Sequence, residues 1–145
     1  MSRAHCISAL ASAAGVAISS YLLGIRLIDI PAICGPALGP FGGCAKVEAS
    51  AWSSIGPVPV AAIGVIGSAF LLAATMIHAR SQSQRALAAW LFAALAGAAV
   101  ELGLIAIQAL VIEAWCFWCL LYGCTVLVSA VAVVSVARAY EEPTG

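Results

Sequence analysis

Trp115-Cys116-Phe117-Trp118-Cys119 opens an apolar run that continues to about Ala137, and this stretch decides the reading of the chain. On a helix, positions i and i+3 share a face, so both thiols point the same way. A Cys-x-x-Cys pair can cycle between dithiol and disulfide. The first turn of a helix carries unpaired N–H groups and the positive end of the dipole. Both favour the thiolate, which is the reactive form of cysteine. Cys119 sits one turn deeper than Cys116 and is the better placed to meet a lipid-soluble oxidant. The shallower Cys116 is placed to meet a thiol arriving from outside the run.

Working outward, three more apolar stretches precede this one. They cover about 4–28, 57–79 and 86–112, and the last is about 116–137. Each reaches the ~20 residues that cross a ~30 Å hydrocarbon core as a helix. Of the 145 residues, 64% are hydrophobic and 8% are charged. Soluble domains carry about 25% charged residues. A chain this short has too much surface per volume to hide so much apolar area in a water-soluble core. The expected fold is all-α: an integral membrane four-helix bundle, with a long extracytoplasmic loop between the first two helices. The four spans make a single transmembrane domain over residues 1–145, with no fused thioredoxin domain. Net charge is zero and no basic patch occurs, which excludes a nucleic-acid binder. The first stretch has Arg3 ahead of it and Ala11-Ser12-Ala13 inside it, as a secretory signal would. Its apolar run continues through Tyr21-Leu22-Leu23, longer than the ~7–15 residues of a signal, so it reads as a retained span.

The cations orient the bundle. Arg3, Arg80, Arg85 and Arg138 flank the spans on one face, with His78 in the same rim. The positive-inside rule then puts both termini in the cytoplasm. The other face receives the loop from about Asp29 to Gly56 and the turn at Glu113-Ala114-Trp115, with Trp52, Trp115 and Trp118 at the outer interface. The loop is too long for a mere connector. Pro31, Gly35, Pro36, Gly39, Pro40, Gly42 and Gly43 give it a bent course. Within it, after Cys44, 45–52 reads as two turns of helix, a lid over the bundle mouth with Val47 and Ala51 on one face.

Six cysteines occur, and four fall on the outer face: Cys34, Cys44, Cys116 and Cys119. That compartment permits disulfides. Four cysteines allow three connectivities, and spacing does not choose among them. Three chemistries compete: a redox relay, static disulfides or buried thiols, and a four-thiolate zinc site. The relay is preferred because a Cys-x-x-Cys at a helix start faces a loop with its own pair. Only one pair has short zinc-type spacing. Cys6 and Cys124 read as packing residues. Within the spans, Glu101 and Gln108 share a face two turns apart. They read as a proton path, a hydrogen bond to a bound headgroup, or an interhelical contact. Tyr122, one turn below Cys119, reads either as a donor to a carbonyl oxygen in the same pocket or as a packed residue.

Together these residues resemble the vitamin K epoxide reductase family in its bacterial form. The resemblance spans nearly the whole chain. It rests on Cys44-Ala45-Lys46-Val47-Glu48-Ala49-Ser50-Ala51-Trp52, on Gly56-Pro57-Val58-Pro59, and on Trp115 to Cys119. The related DsbB family carries its pairs in the opposite order. The resemblance implies that Cys119 reacts with a quinone, ubiquinone or menaquinone. It makes Cys116 the partner of Cys119 in the resting disulfide and Cys44 the shuttle thiol that attacks Cys116. Cys34 then exchanges with a separate periplasmic thioredoxin-fold (DsbA-like) protein. Ser50 matches a small hydroxyl position near the pocket. The implied activity is a thiol oxidase and quinone reductase of the bacterial inner membrane, with both cysteine pairs on the periplasmic side. The chain departs from the family in two places. Its loop cysteines are separated by nine residues, wider than expected of bacterial members. The asparagine that animal members use in the second span has no counterpart in Leu71-Leu72-Ala73-Ala74-Thr75. The runner-up from another class is a soft-metal-ion carrier, which requires thiols lining a path through the membrane.

Overall fold

The computed structural model describes residues 2–34 and 36–141. Four long helices dominate: α1 (Arg3–Leu27), α3 (Val60–Ser81), α4 (Gln84–Ile107) and α5 (Phe117–Glu141). A π-helical turn, Gln108–Ile112, extends α4. All four are long and apolar enough to cross a membrane. The protein is an all-α, multi-pass membrane bundle.

Between α1 and α3 lie 3-10 turns within Pro36–Phe41, kinked at Gly39, then α2 (Cys44–Glu48) and a 3-10 turn at Ala51–Ser53. A minimal hairpin follows, β1 (Ser54–Ile55) with β2 (Val58–Pro59), pairing Ser54 with Pro59. The second span therefore starts at Val60, three residues after the expected 57. Gly56 takes a left-handed φ of 59° in the hairpin turn, where a side chain is penalised. Pro59 precedes the helix in an extended conformation. The expected two-turn lid helix over 45–52 is shorter, because α2 ends at Glu48. The Ser50 hydroxyl donates to the Val47 carbonyl at 2.6 Å and closes the turn.

α1 packs on α3 and α5, and α4 packs on the same two, so α1 and α4 occupy opposite corners. The bundle is built inside-out. Leu10, Ile66, Phe92 and Leu110 are each more than two-thirds exposed, facing where lipid would lie. Lipid gives helices no hydrophobic reason to associate, so small and polar residues fill their interfaces. α1 buries His5, Ser8, Ser12, Gly15 and Ser19, spaced alternately by three and four, and Ile25. The apolar core sits between α3, α4 and α5, around Leu71, Trp90, Ala94, Val126 and Val133. His78, expected in the cationic rim, is fully buried and its Nδ1 lies 2.9 Å from His5 Nε2. Cys6 and Cys124 are exposed on the outer side of their helices.

Candidate active site

Cys116 lies just ahead of α5 and caps it, rather than sitting in its first turn. Its Sγ accepts the Cys119 N–H at 3.3 Å, and its carbonyl accepts the Leu120 N–H at 3.0 Å. This is the N-cap arrangement, with sulfur in place of the usual hydroxyl. The cap aims the thiol at the unpaired N–H groups of the helix start. The Cys116 and Cys119 sulfurs are 2.8 Å apart, so a small rotation brings them to bonding distance. The hydrogen bond from the Cys119 thiol holds Cys116 below the usual thiol pKa, against the opposing effect of its burial.

Gln108 fixes the approach to this cap. Its Oε1 accepts the Cys116 N–H at 2.9 Å, and its own carbonyl accepts from Ala114. The π-helical turn beginning at Gln108 and the left-handed Glu113 (φ 53°) bring the chain back within reach. π-Helical turns concentrate at functional sites.

The loop pair is bonded Cys34 to Cys44, with Cα atoms 5.9 Å apart. Cys44 opens α2 and is fully buried. The Gly43 N–H donates to the Trp115 carbonyl at 2.9 Å, and Gly42 forms an antiparallel bridge with Cys116. A Cβ on Gly43 would fall 3.0 Å from the Ala114 side chain and 3.1 Å from the Trp115 carbonyl. Only glycine allows so close an approach, and it seats Cys44 against the segment that carries Cys116. The Cys34 side is tied down as well. Trp118 Nε1 donates to the Ile33 carbonyl, the Ile33 N–H donates to Tyr21, and the two rings pack 4.9 Å apart. Arg26 donates to the Glu48 carbonyl at the end of α2.

Beneath this mouth is a cavity of about 510 Å³ between the four long helices. Its wall is mostly aliphatic, and Cys116, Cys119, Tyr122, Glu101 and Gln108 all line it. Tyr122 holds α5 to α3: its hydroxyl donates to the Gly64 carbonyl and accepts from Ser68, both at 3.2 Å. The buried Glu101 carboxyl packs against Gly123, where a Cβ would fall 3.0 Å from its Oε1. Ser50 does not line the cavity. In the stretch where the asparagine was missing, Leu71 reaches the cavity, while Thr75 turns to its own helix carbonyl and to Ser8.

Residues 6–135 match the family model for the vitamin K epoxide reductase family. The chain belongs to that family. No curated protein matches it. Membership makes the chain a membrane oxidoreductase of a family whose members use quinones. In this member the structure brings Cys44, Cys116 and Cys119 to one mouth and places Tyr122 and Glu101 below it. The sequence reading missed the backbone role of Gln108, the Tyr21–Trp118 clamp and the His5–His78 pair. A glutamine eight residues before a Cys-x-x-Cys was the visible signal for the first. The other two join residues far apart in sequence and left no local signal.

Proposed function

We propose that this vitamin K epoxide reductase family member is a quinone-dependent thiol oxidase that makes disulfides in a separate periplasmic thioredoxin-fold, DsbA-like protein. One observation carries the reading: touching sulfurs of Cys116 and Cys119 line a cavity between the four long helices, with the backbone just ahead of Cys44 paired to the Trp115–Cys116 segment. An aliphatic cavity with a few polar groups at one end is the usual form of a small-molecule site. It suits the ring and apolar tail of ubiquinone or menaquinone, with Gln108 and Glu101 among the polar groups that line it together with the thiols. Tyr122 shapes the same wall.

The relay balances step by step. A dithiol of the partner reduces the Cys34–Cys44 disulfide through a mixed disulfide and leaves oxidised. The Cys44 thiolate attacks Cys116 Sγ of the Cys116–Cys119 disulfide, and Cys119 leaves as a thiolate. Cys34 then attacks Cys44, restoring the loop disulfide and freeing Cys116. Cys116 and Cys119 give up two electrons to the quinone substrate and return to the disulfide. Arg3, Arg80, Arg85 and Arg138 at the ends of the long helices support an inner-membrane orientation with both termini cytoplasmic. A soft-metal carrier fits less well, because Cys6 and Cys124 are exposed on the bundle exterior instead of lining its interior.

The test is purified protein with a quinone and a small dithiol, followed by quinone absorbance. The parent reduces quinone, and Cys119→Ala does not. Cys34→Ala keeps reaction with the small dithiol and loses most of its reaction with the protein partner. Equal quinone reduction by Cys119→Ala and the parent overturns the assignment.

A further inference from the structure

The buried polar residues of α1 form one line with those of α3 and α5, from the end of the bundle that holds both termini down to the cavity. At that end, Ser2 Oγ lies 2.6 Å from His5 Nδ1, and His5 Nε2 lies 2.9 Å from His78 Nδ1. One turn further along α1, Ser8 Oγ meets Thr75 Oγ1 at 3.1 Å and Ser129 Oγ at 2.7 Å. The next turn carries Ser12, 2% exposed, with no partner for its hydroxyl. After it comes Gly15, where an added Cβ would fall 2.7 Å from Ser68 Oγ and 3.0 Å from Thr125 Oγ1. Both hydroxyls therefore flank the gap that the glycine leaves. Ser68 then donates to Tyr122, which lines the cavity with Cys119 and Glu101.

Interhelical adhesion explains paired hydroxyls. It does not explain two imidazoles in a fully buried hydrogen bond, nor the orphans beside them. His78 Nε2 and Trp90 Nε1 are buried without partners, and their rings pack 5.7 Å apart. An unsatisfied buried polar atom costs about 1–3 kcal/mol. Internal water, which takes such groups as partners, removes that cost. Among the described residues no hydrogen bond joins the His5–His78 pair to Ser8, or Ser12 to Ser8 or Ser68, and the orphan Ser12 hydroxyl and His78 Nε2 await the same partner. Hydroxyls, imidazoles and water each donate and accept, so a chain of them relays protons.

We propose that this seam, from His5 and His78 through Ser8, Ser12 and Ser68 to Tyr122, is a water-completed proton path into the cavity. It rests on the quinone-reducing reading above. Oxidation of Cys116 and Cys119 to the disulfide releases two electrons and two protons, and these protons leave at the cysteine mouth. Reduction of a quinone to its hydroquinone takes up two electrons from the thiols and two protons through the seam. Per quinone, two protons vanish from the face holding the termini and two appear on the cysteine face.

The test uses the full chain in liposomes with a pH-sensitive dye inside, ubiquinone in the bilayer, and valinomycin with potassium to short the potential. A carboxylate-bearing dithiol peptide outside cannot cross the bilayer, so it drives only molecules whose cysteine end faces out. The lumen becomes alkaline in step with quinone reduced, and a protonophore abolishes the change. Ser12→Val loses lumenal alkalinisation per quinone, and Ser12→Thr retains it. Quinone reduction by the parent with no change in lumenal pH overturns the path and leaves the proposed function standing. Full alkalinisation per quinone by Ser12→Val overturns the route. If Ser12→Val does not fold, the parent result alone decides. No quinone reduction by the parent removes the proposed function and this inference with it.

Discussion

Gln108 Oε1 accepts the backbone N–H of Cys116 at 2.9 Å, joining the end of one span to the cap of the next. Both residues are buried. The bond thus ties the α4 extension to the redox cap through a side chain inside the wall of the cavity.

Replacing Gln108 by Leu strands that N–H. The expected cost is about 1–3 kcal/mol, the price of an unsatisfied buried donor. Gln108→Leu is expected to lower the thermal midpoint in detergent and to slow quinone reduction, with Gln108→Glu closer to the parent because it keeps an acceptor. A Gln108→Leu protein as stable and as fast as the parent contradicts a positioning role.

Cys116 is held below the ordinary thiol pKa by the Cys119 thiol. Its thiolate therefore forms at lower pH than a free cysteine, whose pKa is about 8.5. In the reduced protein, the ultraviolet absorbance of the Cys116 thiolate should rise at lower pH than in Cys119→Ala, where the thiol donor is gone and only backbone N–H groups still oppose the effect of burial. A titration unchanged in Cys119→Ala sinks the prediction.

Gly43→Ala sets a methyl group against the Ala114 side chain and the Trp115 backbone. Overpacking of this kind typically costs 1–3 kcal/mol, so about that is expected here. The strand of the loop must move away from Cys116, taking Cys44 with it. Trapping of a Cys44–Cys116 mixed disulfide in a Cys34→Ala, Cys119→Ala background should fall when Gly43→Ala is added. Undiminished trapping shows that the close approach does not matter.

Trp118→Phe keeps the ring against Tyr21 and removes the N–H that holds the Ile33 carbonyl. The Cys34 end of the loop loosens, and external phosphine should reduce the Cys34–Cys44 disulfide faster than in the parent. Since one hydrogen bond is worth about 1 kcal/mol, an increase of roughly fivefold is expected. An unchanged reduction rate removes the clamp.

The four spans were legible in the sequence because a span is a local property. Some twenty apolar residues in a row need no partner to be recognised, and all four expected stretches correspond to helices. The Cys-x-x-Cys at the start of α5 was legible for the same reason. Their edges were less so. The helix over 45–52 breaks after Glu48 because the Ser50 hydroxyl finds the Val47 carbonyl, and α3 waits for Val60 because Gly56-Pro57 turns a hairpin first.

Composition and the length of the apolar runs by themselves determined that the chain crosses a membrane as helices, and motif order determined its kinship. Tertiary structure alone decided that Cys116 caps α5 while Gln108 holds it, and that the histidines at 5 and 78 meet inside the bundle. The reason is physical. Burial in lipid is written residue by residue along the chain, whereas a hydrogen bond or a disulfide depends on where two distant segments come to rest.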